Sequence, residues 1–433
     1  MADILPIRPW RYNRKLSASL EALTSPLFDV MSDKQRNILY KLPYNSIHLS
    51  LPEESGGEDH VTKLLQEWKR DGILIQDDIP AIYVYYQYFS HSSSPREYCR
   101  KGFICHIRAY DWDEKVVLRY ENTIPETVND SVSILEKTEL HSSPTHGLYT
   151  DNDFQLEPYM DAAMTDPIYE TEDYQGVRNV LAVIHDAEVI KKFISVLEDK
   201  TVILADGHHR YEASLIYKAK QNALHPGHIR KAGYNFHLMY LTNTAAADFI
   251  ILPTHRLLNN LPDFDEAAIA RKLEDDFIIR PVEDMYTLPD VIAGKQWAFG
   301  IMFKDKAFKV RLKAESFEKL KWPFPDEVKR LDLTVMHYFI IEKVLKIPGK
   351  EQRQSDHLSF NHSFPDCMRN VIQGEVQIAI ITNGVTIEDV KRICQSGYTM
   401  PQKSTYFYPK TISGLLFTSI NELEFALPFY APF

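Results

Sequence analysis

Cysteine is scarce in this chain. Cys99, Cys105, Cys367 and Cys394 are all that its 433 residues hold. None is spaced as CxxC and four are too few for a disulfide framework, which fits a reducing cytoplasm. Long apolar runs are lacking too. The opening MADILPIRPWRYN has no apolar core of signal-peptide length and no run anywhere is long enough to span a bilayer, so the expectation is a soluble protein that is neither exported nor membrane-bound. Clusters of five or more Lys and Arg do not occur, and the formal charge is -11, which argues against a nucleic-acid-binding face. Neither a Walker A loop nor the protein-kinase signature set is present, which excludes the conventional kinase folds as far as motifs can. What remains is an ordinary globular composition, 44% hydrophobic and 25% charged, in a chain long enough for one large or two medium domains.

The most informative stretch is TVILADGHHRYEASLIYK, from Thr201 to Lys218. Thr201 to Ala205 is a short apolar, β-branched run that reads as a buried strand. Asp206 and Gly207 break it, and from His209 onward Tyr211, Ala213, Leu215, Ile216 and Tyr217 recur at helical spacing. A strand turning tightly into a helix aims unpaired backbone amides and the positive end of the helix dipole at one small volume. Gly207 lets a ligand approach the backbone, and Arg210 can add a bidentate grip on an oxyanion. The bland alternatives are an N-capping Asp206, capping or core roles for His208 and His209, and a surface Arg210. Four chemically capable polar residues within five positions of a turn favour an anion site.

ADGHHRYEAS, taken with the segments described next, resembles the signature of a large bacterial and archaeal family catalogued as a conserved domain of unknown function. The turn itself resembles the Gly-x-x-Arg box of the ParB and sulfiredoxin superfamily, which holds nucleotide phosphates; some members of that wider group are free serine kinases. The resemblance implies an α/β fold with mixed sheets. Residues 1–260 would form a ParB/sulfiredoxin-like nucleotide-binding region with an N-terminal hairpin sheet. Residues 261–433 would form a second α/β domain contributing the loop MPQKSTYFYPK. His208 stands where sulfiredoxins need their catalytic cysteine, so thiol chemistry is set aside.

Several other segments carry the resemblance. Ile7 to Asn13, IRPWRYN, has a family-like Arg-Tyr-Asn element that can stack on a base and pair with phosphate, or simply form a strand with solvated charges. Ser25 to Ser32 keeps Pro26, Asp29 and Val30 of a family turn and leads into a helix from Asp33 to Lys41. Pro43 to Leu51 alternates in polarity and reads as a half-buried strand. After a surface loop, Glu53 to Asp59, Val61 to Trp68 gives an amphipathic helix ending near Gly72. Ala81 to Phe89 and Glu97 to Tyr110 read as an antiparallel hairpin about a polar tip, His91 to Pro95, with Val116 to Tyr120 as a third strand. Glu121, Thr123, Ser143, Pro144, Gly147 and Tyr149 match two family boxes that bracket a helix from Ser131 to Leu140. Glu121 is a candidate general base, or else a helix cap or an arginine's partner.

Further along, Val180 to Ile184 reads as a strand and Asp186 to Leu197 as a helix. Asn235 to Leu241 and Phe249 to Leu252 follow as strands. The last ends in PTHR, which puts Thr254, His255 and Arg256 at a strand's carboxyl end, where open α/β sheets bind ligands and where Arg256 can complete a phosphate clamp with Arg210. Beyond a soft boundary near residue 260, Asp332 to Leu345 reads as an amphipathic helix, and Thr386 with Asp389 as a capping box for a helix that runs to Gly397. In Met400 to Gly414, Lys403, Ser404 and Thr405 can meet a transferring phosphoryl group, reinforced by Lys410; the alternative is a solvated loop. The apolar tail Phe425 to Phe433 can fold back or serve a homodimer.

The leading expectation is a nucleotide-dependent kinase acting on a small hydroxylated metabolite, free L-serine first among them. Gly207, His208, His209 and Arg210 would cradle the phosphates of ATP or ADP, with His255, Arg256, Lys403, Ser404 and Thr405 as further phosphate ligands. Asp206 would bind Mg²⁺ or activate the acceptor, and Glu121 and His209 are the other catalytic candidates. The expected partners are a nucleotide and a small molecule, with no nucleic acid and no membrane. Two alternatives stand beside this: a metal-dependent phosphohydrolase using Asp206, His208, His209 and His255, and a non-catalytic nucleotide sensor.

Overall fold

In the computed structural model, residues 2–53, 57–91, 94–226, 232–352, 355–401 and 403–425 are described. The chain divides into two compact units. One comprises Met1–Arg119, Thr123–Phe249 and Pro409–Phe433, the other Tyr120–Asn122 and Ile250–Tyr408. The fold is α/β with mixed sheets. No helix among the described residues is long and apolar enough to cross a membrane. The apolar tail beyond Phe425, part of the loop after Glu53, part of the hairpin tip and the side chain of Asp29 lie outside the described residues.

The first unit grows from the aromatic hairpin Ile82–His91 and Ser94–Arg108. Among the described residues its sheet has nine strands, in the order Tyr169–Glu172, Arg178–Ile184, Ile82–His91, Ser94–Arg108, Phe236–Asn243, Thr145–Tyr149, Val202–Asp206 and Val117–Leu118, with Ile4–Leu5 beside Ser94–Arg108. Tyr83, Tyr85 and Tyr86 are buried in it. Phe103, Leu204 and Leu241 from the sheet pack with Phe193, Tyr211 and Leu215 from two helices, Ala187–Glu198 and His208–Leu224. At roughly 25 cal/mol per Å² of apolar surface, side chains of this size contribute ~1.5–3 kcal/mol each. Asp186 caps the first of these helices by accepting from the amides of Glu188 and Val189, as its position before an apolar run predicts.

The third strand, Val117–Leu118, does not extend the hairpin but pairs in parallel with Val202–Asp206. Pro43 to Leu51 is not a strand: Ile47–Ser50 is a short helix. The Asn45 side chain accepts from the Ile47 amide, a local bond that competes with ladder pairing, and donates to the distant carbonyls of Ala22 and Thr24, which fix the segment in place.

The second unit holds, among the described residues, a six-stranded sheet in the order Phe277–Val282, Ala307–Leu312, Ala298–Met302, Ile378–Ile381, His255–Leu258 and Leu358–Asn361. Every neighbour in it is antiparallel. His255 and Arg256 lie within this sheet, which corrects their expected place at a strand's end. Ile250–Leu252 stops at Pro253, which has no N–H to donate, and a new strand begins at His255. The stretch read as one amphipathic helix starts as α over Asp332–Val335 and continues as a π-helix over Met336–Val344.

The capping box at Thr386 is present: its hydroxyl accepts from the Asp389 amide at 3.1 Å and the Asp389 carboxylate accepts from the Thr386 amide at 3.2 Å. Replacing Thr386 by Ala should therefore cost about 1 kcal/mol, seen as a lower urea midpoint with an unchanged slope.

Candidate functional site

Val202–Asp206 is buried and apolar up to Ala205, and Asp206 is its last residue. Gly207 follows with φ of +87°, and the 17-residue helix His208–Leu224 leaves from it. A Cβ at position 207 would sit 2.6 Å from Thr145 Cγ2 and 2.9 Å from Arg210 Nη2, so both the backbone angle and the space demand glycine. Gly207, not Asp206, stands at the N-cap position, and the Asp206 carboxylate is left for other partners. The first amides of the helix have no acceptor within it and carry the positive end of its dipole.

Those partners are cations. Lys410 Nζ donates to Asp206 Oδ1, and Arg210 Nη2 lies 3.5 Å from Oδ2. The side chains are only 13% (Asp206), 12% (Lys410) and 18% (Arg210) exposed, so the charges face one another with little screening. Burial alone would push the Asp206 carboxyl up, but the Lys410 ammonium and then the Arg210 guanidinium outweigh it and hold the group well below the usual carboxylate range. Lys410 is delivered by Ile412–Ser413, which pairs with Ser25–Pro26, and by Gln87 Nε2, which donates to the Lys410 carbonyl at 2.9 Å. Arg210 Nη1 donates to Ser143 O (3.1 Å), Ser143 Oγ (2.7 Å) and Pro144 O (3.1 Å). The guanidinium thus ties the Ser143–Pro144 turn to the helix.

Beside Arg210 is a cavity of about 80 Å³ whose walls include Pro26, Phe28, His141, Ser143 and Ser413. Three family-like segments far apart in sequence, those around Ser25, Ser142 and Lys410, therefore meet the Asp206–Arg210 turn within the first unit. Under the helix runs a chain of buried polar side chains that the sequence reading did not single out. Thr145 Oγ1 is 3.0 Å from His237 Nε2, His237 Nδ1 is 2.7 Å from Ser214 Oγ, and Ser214 Oγ is 3.3 Å from His141 Nε2. Burial pushes His141 down to about 3 and His237 well below its ordinary value, so both imidazoles are neutral. The available signal was a histidine inside the otherwise apolar strand run FHLMYL. His208 is also buried and pushed down to about 3, with Asp206 pulling the other way, and it adds no charge to the turn at neutral pH. His209, next to it, is half-buried.

The remaining expected site residues belong to the second unit. Glu121 accepts from the Lys403 amide at 3.0 Å, the Tyr120 hydroxyl is 2.7 Å from Thr405 Oγ1, and Ser404 Oγ donates to Pro401 O. Glu121, Lys403, Ser404 and Thr405 are thus gathered around one loop. Arg256 has no exposed surface. It donates to Thr254 O and, at 3.2 Å, to His337 Nε2. Burial pushes it down to about 9, while Glu121 pulls it up. His255 Nδ1 accepts from the Thr382 amide at 3.3 Å, and burial pushes that ring down to about 4. In the first unit, Arg11 of the IRPWRYN segment is held by Asp77 at 2.8 Å and donates to the Tyr169 hydroxyl at 3.2 Å.

Among the described residues, no three His, Cys, Asp or Glu side chains gather to hold a metal ion, and Asp206 already faces two cations. This donor set does not fit a protein-held Mg²⁺ or the transition-metal centre of a phosphohydrolase.

No curated protein matches this chain. Among solved structures, a free serine kinase in complex with AMP is 12% identical over 74% of this chain and 93% of its own, with a TM-score of 0.37. A conserved hypothetical protein from Pyrococcus furiosus is 12% identical over 72% and 95%, with a TM-score of 0.35. SbnI with a C-terminal truncation, from Staphylococcus aureus, is 8% identical over 73% and 87%, with a TM-score of 0.34. The model of the family described as protein of unknown function, DUF1015, matches residues 4–334, and the chain belongs to that family.

Proposed function

We propose that the chain is a nucleotide-dependent phosphotransferase that moves the terminal phosphoryl group of ATP or ADP to the hydroxyl of a small metabolite. Free L-serine, giving O-phosphoserine, is the first acceptor to test. The observation that carries the reading is the Asp206–Arg210 turn: a left-handed Gly207 at the start of a long helix, with an ammonium and a guanidinium facing one buried carboxylate. Phosphoryl transfer needs chiefly positioning and neutralised charge, and this turn concentrates positive potential beside a cavity with serine in its walls.

In the reaction the acceptor oxygen bonds to the terminal phosphorus. The bond to the bridging oxygen breaks, and its electron pair stays on the nucleotide. The helix amides and Lys410 would stabilise the charge that spreads over the phosphoryl oxygens. Asp206 keeps the two cations aimed; a carboxylate held so far below neutrality is a weak proton acceptor, so we assign it positioning. His209, three positions on, is proposed to take the hydroxyl proton. Mg²⁺ would travel on the nucleotide's own phosphates.

The test is incubation of the purified chain with Mg²⁺, ATP or ADP and a panel of hydroxylated metabolites, with product read by phosphorus NMR and mass spectrometry. A phosphorylated acceptor is expected. Nucleotide binding by calorimetry without any product would instead favour the sensor, and no binding at all would end the nucleotide reading.

A further inference from the structure

The second unit contains a cavity of about 600 Å³, within the size range of small-molecule sites. Its walls include Trp322, Phe324, Phe360, Met400, His337 and Glu342. The last two lie on the π-helix Met336–Val344. Five residues apart, they would point about 140° away from each other on an α-helix; the wider turn brings both to one cavity, and π-turns recur where a helix is shaped for function.

The aromatic wall is fixed in place. Trp322 and Phe324 meet edge to face at 5.8 Å. A Cβ on Gly349 would come within 2.6 Å of the indole, so the loop at Gly349 is cut to fit the ring. Glu342 takes the indole N–H at 3.3 Å and the Gly349 amide at 2.6 Å. Among the described residues it has no ion-pair partner, whereas its neighbour Lys343 is paired with Asp276. His337 accepts from Arg256 at Nε2 and meets Gln352 Oε1 through Nδ1 at 2.7 Å. That pattern sets its tautomer, and burial pushes it down to about 3, so the ring is neutral. Of the described lining residues, the one cation is Lys350, which is exposed.

A carboxylate with no ion pair among the described residues, set in an aromatic and aliphatic wall, is complementary to a cation on an apolar body. We propose that this cavity is a binding site for a small aryl-alkyl amine, its ring against Trp322, Phe324 and Met400 and its ammonium on Glu342. The proposal is independent of the nucleotide reading, since it involves neither the Asp206 turn nor a phosphate.

Three probes with nearly the same body separate charge from shape: 2-phenylethylamine, 2-phenylethanol and 3-phenylpropionate, each titrated into the full chain and followed by protein NMR shifts. The amine is expected to bind roughly tenfold more tightly than the alcohol and more tightly still than the acid. Glu342→Gln should remove that preference and leave the alcohol's affinity unchanged, which also reports that the variant is folded. Equal or tighter binding of the acid, an amine affinity untouched by Glu342→Gln, or no amine binding would each overturn the assignment.

Discussion

Gly207→Ala should lower the melting temperature of the first unit by about 4–20 °C. Forcing an L side chain to the left-handed φ of +87° costs about 1–2 kcal/mol. Seating its Cβ 2.6 Å from Thr145 Cγ2 adds overpacking of about 1–3 kcal/mol. For a unit of this size each kcal/mol moves the midpoint by about 2–4 °C. Gly72→Ala and Gly176→Ala are the matched controls: both glycines have positive φ, +70° and +75°, yet nothing lies within 4 Å of the added Cβ. They should show the backbone cost alone. Equal melting of all three variants would mean that the turn has room and that its close packing against Thr145 is not what holds it.

Lys410→Met should be the most damaging change at the turn. Among the described residues it leaves the largely buried Asp206 carboxylate with the longer, 3.5 Å contact to Arg210 as its one ion pair, and stripping one partner from a buried pair costs about 3–5 kcal/mol. The effect has a signature in pH. In the native chain the folded-state value of Asp206 lies below its unfolded value, which for Asp is about 3.9. Its ion pairs therefore contribute fully above that pH and are lost as pH falls through the depressed folded value. With the ammonium gone, burial pushes the carboxyl back up, so the gap in stability between variant and native chain should narrow as pH drops below about 4. Adding Asp206→Asn to Lys410→Met should recover much of the loss, because the uncompensated buried charge is then gone. If the proposed function is right, Lys410→Met should also reduce kcat/KM by about 10²–10³-fold, with Lys410→Arg retaining part of the rate. A pH-independent deficit would mean that Lys410 acts by packing rather than by charge.

The local parts of this arrangement were legible because their causes are local. An apolar run, an Asp-Gly break and helical spacing suffice for the strand, turn and helix around Gly207, and a Thr-x-x-Asp pattern suffices for the box at Thr386. Where local and distant forces compete, reading fails. The alternation at Pro43 to Leu51 is genuine, but Asn45 ties the segment to the backbone around Ala22 and Thr24, partners more than twenty positions away. The same limit hid the chain Thr145, His237, Ser214 and His141, whose members come from three separate parts of the sequence.

By itself, the sequence determined the class of fold, the family and the turn at Asp206 to Arg210, since composition, periodicity and a compact motif are carried by neighbouring residues. Only the tertiary structure decided that Lys410 closes on Asp206, that Arg210 is anchored to the Ser143–Pro144 turn, and that Arg256 is enclosed in a second sheet. Those are questions of which charges meet once water has been excluded. The attraction of an ion pair grows, and its desolvation cost with it, only when the chain has folded around it.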